Sequence, residues 1–188
     1  MQGLFLWFAF YSFQNSPMSK PDLTKIPAYY HGYVSHVKED DLLSAFRMQE
    51  TVIKEFLSAI PADKYEYQYA PGKWTLKEML QHLIDAERVF GYRALCFARN
   101  DSAPLPGFDE NEYVKESLAN KREWNDLVNE LLTVRKSNEL LFNSLNEEQM
   151  NRSGIANNSS NNVLGWGYIS IGHVAHHMQV IKQRYLSS

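Results

Sequence analysis

From residue 38 to residue 60 the apolar positions Leu42, Leu43, Phe46, Val52, Ile53, Phe56, Leu57 and Ile60 recur at helical spacing, and Pro61 closes the run. The spacing predicts a first long helix. Beyond a connector with the turn signal Pro71-Gly72, Thr75-Leu76-Lys77-Glu78 has the form of a capping box, in which the Thr and Glu side chains satisfy each other's backbone donors. A second helix is expected from there to about Arg99, with Met79, Leu83, Ala86, Phe90, Ala94 and Phe97 on its apolar stripe. Gly91 inside it costs about 1 kcal/mol relative to alanine, a sign of close packing. Residues 100–110, with Pro104, Pro106 and Gly107, form a loop longer than a helix hairpin needs. Residues 111–145 carry a third helical pattern, with Trp124, Leu127, Val128, Leu131, Leu132, Val134, Leu141 and Phe142 as core positions and a break near Asn120.

Residues 151–162 are rich in Asn and Ser and have no hydrophobic period, which predicts a loop. Asn161 or Asn162 is placed to cap a last helix over 163–186. Only the alternating tyrosines of Tyr65-Glu66-Tyr67-Gln68-Tyr69 suggest a strand. The expected fold is all-α, a four-helix bundle with long connecting loops. Residues 1–37 read as an irregular amino-terminal arm and 38–188 as the bundle. The apolar run Leu4 to Tyr11 has no Lys or Arg before it, and Met18-Ser19-Lys20-Pro21 would make an ordinary soluble start, so residues 1–17 read as lying upstream of the native start.

Composition narrows the classes of function. At 188 residues, with 44% apolar and 22% charged positions, the chain suits one globular domain. A formal charge of -3 and no long Lys/Arg cluster argue against nucleic acid as a partner. The apolar run of about ten residues is too short to span a bilayer. With Cys96 as its single cysteine, the chain has no intramolecular disulfide and no cysteine-based zinc site, in keeping with a reducing, cytoplasmic setting.

The chemistry concentrates in the last helix. His173 and His177 stand four positions apart, so both imidazoles project from one face. His82, on the edge of the second helix's stripe, supplies a third nitrogen if the two helices are neighbours. Three neutral imidazoles suit a divalent transition metal and leave a coordination position free. A lone His at such a position is more often a satisfied interfacial residue; the four-residue pair shifts that balance. His176 falls on the polar side of the helix, and no His-Glu-x-x-His or Glu-x-x-His element is present.

The stretch Lys73-Trp74-Thr75-Leu76-Lys77-Glu78-Met79-Leu80-Gln81-His82-Leu83-Ile84-Asp85 resembles the Trp-Ser/Thr-x-x-Glu-x-x-x-His-Leu-x-Asp segment of the DinB-like (DinB/YfiT) superfamily. His173-Val174-Ala175-His176-His177-Met178-Gln179-Val180-Ile181 is similar to that family's carboxyl-terminal motif. The resemblance spans roughly residues 40–186. It implies a four-helix bundle, often a homodimer, with one divalent metal, zinc or nickel foremost, on His82, His173 and His177. It also implies a thiol-dependent S-transferase using a low-molecular-weight thiol as cosubstrate, with a metal-dependent hydrolase as the alternative.

A divalent ion on three imidazoles would acidify a water or a thiol, and zinc can bring water to a pKa of about 7. The ligands alone do not choose between the two for a small-molecule substrate. Asp85, one turn from His82, is the candidate for orienting a ligand imidazole or moving a proton, against a plain reading as a solvated charge. Phe108, Asp109, Glu110, Tyr92, Arg93 and Arg99 are candidate pocket walls, whereas Trp74 and Trp166 read as core anchors and Cys96 as a small buried hydrophobe. A non-catalytic dimeric bundle or binding module is the remaining alternative.

Overall fold

The computed structural model describes residues 19–187. The apolar run of residues 4–11 lies outside them. Two 3-10 turns, Leu23–Lys25 and Ala28–Tyr30, lead into a short helix α1, His31–Ser35. Four long helices follow at the expected places: α2, Leu42–Ser58; α3, Leu76–Ala98; α5, Trp124–Asn143; and α7, Val163–Val180. Between them lie the short helices α4, Glu110–Ser117, and α6, Glu147–Asn151, and a hairpin of β1, Ser153–Ala156, and β2, Ser159–Asn162. No helix among the described residues is long and apolar enough to cross a membrane.

Each long helix starts where a side chain can satisfy its free amides. Asp41 accepts from the Ser44 amide and so opens α2 four residues later than the apolar period suggests. Thr75 and Glu78 form the anticipated capping box of α3. Asn162 caps α7 by accepting from the Gly165 amide. The third helical pattern is interrupted as expected: Leu118 takes a left-handed conformation at the end of α4, and a 3-10 turn at Ala119–Lys121 precedes α5.

Helix α7 is the centre of the packing. From Val163 to Val174 it is buried on all sides, packing on α3, α1 and α2. Gly172 permits the close approach of α1, since a Cβ there would collide with the Tyr33 carbonyl. Gly91 does the same for α3 and α5, where a Cβ would strike the Asn138 side chain. After Val180 the chain loosens into a π-helical turn over Ile181–Tyr185 instead of continuing as α-helix to 186.

Two local expectations need correction. Within the stretch expected to be a loop, residues 153–162 form an antiparallel hairpin, with Ser153 opposite Asn162 and Ala156 opposite Ser159, and Asn151 ends α6. Asn157 and Asn158 both take positive φ, the conformation a tight hairpin turn demands. Because its strands are mostly polar, the hairpin carries no hydrophobic alternation. Conversely, residues 65–69 form no strand. Tyr65 stacks on Trp124 at 4.3 Å between ring centroids, while Tyr67 and Tyr69 meet Tyr185 edge-on, so the tyrosine alternation reflects docking onto the bundle end.

The bundle core falls into two apolar clusters. One contains Phe46, Phe90, Phe97, Phe142, Trp166 and Ile169; the other contains Ile53, Leu57, Leu80, Leu83, Leu127, Leu131 and Ile181. Polar residues lie where they meet. Glu87 accepts from Arg135 Nη1 at 2.6 Å, Ser170 Oγ at 2.7 Å and Asn138 Nδ2 at 2.8 Å, and Arg135 also donates to Gln49. Gln49 in turn donates to the Ile171 carbonyl at 2.9 Å. This network ties all four long helices together, with Glu87 and Arg135 both buried.

Removing one charge from a buried pair strands the other, a cost of about 3–5 kcal/mol. Glu87→Gln should therefore lower the stability of the fold by that order in urea unfolding at neutral pH. The same exchange at the exposed carboxylate Glu148, which pairs with Arg152, should leave the midpoint nearly unchanged.

Candidate metal centre

His82 comes from the middle of α3, and His173 and His177 from successive turns of α7. Because α3 and α7 pack side by side, the distant residue joins the local pair. His82 Nε2 and His177 Nε2 each lie 3.1 Å from His173 Nε2. One ring nitrogen from each residue falls within 4.8 Å of the other two.

These contacts are hard to satisfy with protons alone. The His173 Nε2 position offers either one proton or one lone pair, so it can make a well-aligned hydrogen bond to only one of its two neighbours, and the other contact is left unsatisfied. Burial also holds the imidazoles neutral. Desolvation pushes His82 down to about 4, and pushes His173 and His177 well below the ordinary histidine range, helped by the neighbouring imidazoles. Three unprotonated nitrogens facing one point are what a shared cation requires. Four-coordinate zinc, with Zn–N distances of about 2.0–2.1 Å, spaces its ligand nitrogens roughly 3.3 Å apart, close to the two 3.1 Å contacts of His173 Nε2. The buried Nδ1 of His177 has no hydrogen-bond partner among the described residues, so nothing on that side of the ring competes for its position.

The histidines border a cavity of about 220 Å³. Its walls are largely aromatic: Tyr30 and Tyr33 from the arm, Trp74 before α3, Phe90 on α3 and Phe108 from the long loop. Tyr33 meets His173 edge-on at 5.2 Å, Phe90 meets it at 5.5 Å, and Trp74 tilts against His82 at 4.8 Å between centroids. Trp74, half-buried, thus both packs on the second apolar cluster and walls the cavity. Trp166, stacked on Phe90, is fully buried as expected.

Of the other expected wall residues, Arg93, Phe108 and Glu110 line the cavity. Asp109 caps α4, accepting from the Asn111 and Glu112 amides, and Tyr92 on α3 and Arg99 just past its end are exposed. Asp85 faces a separate groove shared with Gln81 and Arg122, where it accepts from Gln81 Nε2 at 2.9 Å. The structure does not bring it to the histidines' cavity. His176 is half-buried between Tyr33 and His36. The reading from sequence missed Tyr30 and Tyr33, although three tyrosines within five positions of a short polar arm were a usable signal.

Fold and site together define a helical bundle with a three-imidazole centre open to an aromatic cavity. The chain belongs to the DinB superfamily, whose family profile matches residues 45–181. Among solved structures it is similar to YfiT from Bacillus subtilis, described as a probable metal-dependent hydrolase with an unusual four-helix bundle topology. That likeness has a TM-score of 0.65 and 14% identity, over 76% of this chain and 82% of YfiT. It is also similar to a mycothiol-dependent maleylpyruvate isomerase, with a TM-score of 0.61 and 9% identity, over 77% of this chain. The chain spans 59% of that isomerase's length. At these identities the two structures speak for the fold. No curated protein matches the chain.

If the three nitrogens share one ion, purified protein should hold about one divalent ion per chain. His82→Ala and His177→Ala should each lose most of it by elemental analysis. Asp85→Asn should keep it, and a large loss there would place Asp85 in the ligand sphere after all.

Proposed function

We propose that the chain is a metal-dependent enzyme acting on a small molecule, with His82, His173 and His177 as ligands to one divalent ion and thiol transfer as its reaction. The convergence of the three buried Nε2 atoms beside a cavity carries this reading. When bound, such an ion supplies Lewis acidity that lowers the pKa of a thiol or a water.

The cavity's own residues favour the thiol. Hydrolysis calls for a group that relays a proton from water to the leaving group, and apart from the histidines the carboxylate lining the cavity is that of Glu110, exposed on α4. Tyr30 and Tyr33 are held above the ordinary phenol range, chiefly by burial, so they stay protonated and act as donors. A free thiol ionises near pH 8.5 and needs far less acidification than water, so ligands and aromatic walls suffice without a separate base. The walls also suit a soft, polarisable sulfur. The likeness to a mycothiol-dependent isomerase supports the same reading, and that to a probable metal-dependent hydrolase keeps hydrolysis as the second reading.

Zinc- or nickel-loaded protein should consume a low-molecular-weight thiol in the presence of a generic alkylating electrophile, measured by loss of free thiol. Chelation should abolish the excess over the uncatalysed rate, and adding back the ion should restore it. Equal rates before and after chelation would refute thiol transfer, and turnover of an ester substrate alone would favour hydrolysis.

A further inference from the structure

Arg93 is a buried cation with no ion-pair partner among the described residues. It is 3% exposed. One guanidinium nitrogen donates to the Pro106 carbonyl at 2.9 Å, the phenol of Tyr30 is its other polar neighbour, and the Trp166 ring lies 4.9 Å beneath it. The contrast with Arg135 is instructive, because that equally buried arginine has Glu87 as its counter-ion. Among the described residues no carboxylate lies within ion-pair distance of Arg93. Glu110 lines the same cavity but is exposed and makes no such pair. Taking a cation out of water without a counter-ion is strongly unfavourable.

The position of Arg93 is as informative as its isolation. His82, Ala86, Phe90 and Arg93 recur at i, i+4, i+8 and i+11, so α3 presents one stripe to the cavity, and all four residues line it. An imidazole stands at one end and a guanidinium at the other, with a methyl and a flat ring between them. The cavity is smaller than the roughly 300–1,000 Å³ of pockets for drug-sized ligands. We propose that Arg93 is an anion subsite, and that the small molecule taken here carries a carboxylate that pairs with it while its reacting end faces the histidines. This extends the proposed function and rests on it for the reacting end alone. One guanidinium with a nitrogen already committed to a carbonyl matches a single planar negative group. That carboxylate belongs either to the thiol or to the second substrate.

Calorimetric titration of benzoate and of 3-mercaptopropionate, each against its methyl ester, tests this on metal-loaded and on chelator-treated protein. At least one acid should bind about tenfold or more tightly than its ester, as loss of a charge-assisted hydrogen bond implies. That preference should survive chelation and disappear in Arg93→Met, while Arg93→Lys keeps part of it. Preference for 3-mercaptopropionate assigns the carboxylate to the thiol, and preference for benzoate assigns it to the second substrate. No preference for either acid in folded wild-type protein would overturn the proposal, as would a preference that persists in a folded Arg93→Met variant. Should that variant fail to fold, an undiminished preference in Arg93→Lys would count against it equally. Failure of the metal reading looks different: no retained ion, with the acid preference intact.

Discussion

The packing of α3 against α7 is the constraint on which the rest of this molecule depends. The first carries His82 and Glu87, the second Ser170, His173 and His177, and the hydrogen bond from Ser170 to Glu87 crosses between them one turn from the histidines. Glu87 is in turn held by Arg135 and Asn138 of α5, and Arg135 by Gln49 of α2. A buried charged network of this kind adds little net stability over a well-packed apolar alternative, but a shifted register leaves its members unpaired. It therefore defines the relative height of α3 and α7, the quantity that decides whether three ring nitrogens meet.

The two apolar clusters explain why the polar residues sit where they do. One core ends at Ile84 on α3 and the other begins with Ala86; on α7 the boundary falls between Ile171 and Val174. His82, Glu87, Ser170 and His173 occupy this seam. A seam between two packed cores is rigid yet not wholly apolar, so it can hold side chains to the precision a metal requires. The amino-terminal arm completes the arrangement, because Gly172 lets α1 lie directly on α7 and carry Tyr33 over the His173 ring.

How much of this was legible in the sequence follows the kind of signal each feature leaves. Long helices leave periodic apolar stripes, and the Thr75–Glu78 box and the Asn162 cap mark their starts, so α2, α3, α5 and α7 could be placed to within a few residues. The histidine pair was visible because both members share one helix, whereas the partnership with His82 required two helices to be neighbours and came through likeness to a family. The hairpin was missed because its turn signal, Asn157-Asn158, lies between short, mostly polar strands that show no hydrophobic alternation. Asp85 was misplaced for a related reason. Helical periodicity gives the face of a residue but not which cavity that face meets, and α3 borders more than one. Tyr30 and Tyr33 act from outside the four helices, where no period applies.

Burial does two opposite things at the ends of this cavity, and the difference is chemical. For imidazole, desolvation removes the proton, so His82, His173 and His177 become better ligands the deeper they lie. A guanidinium under the same desolvation keeps its proton, since its lowered pKa still starts from far above neutrality. The same dry environment thus yields lone pairs at one end and a fixed positive charge at the other. With the phenols between them protonated, the cavity presents its binding groups in single, settled protonation states near neutral pH. On the proposed function, chemistry in this cavity would then turn on the acidity of the molecule that enters rather than on titration of the imidazoles, phenols and guanidinium around it.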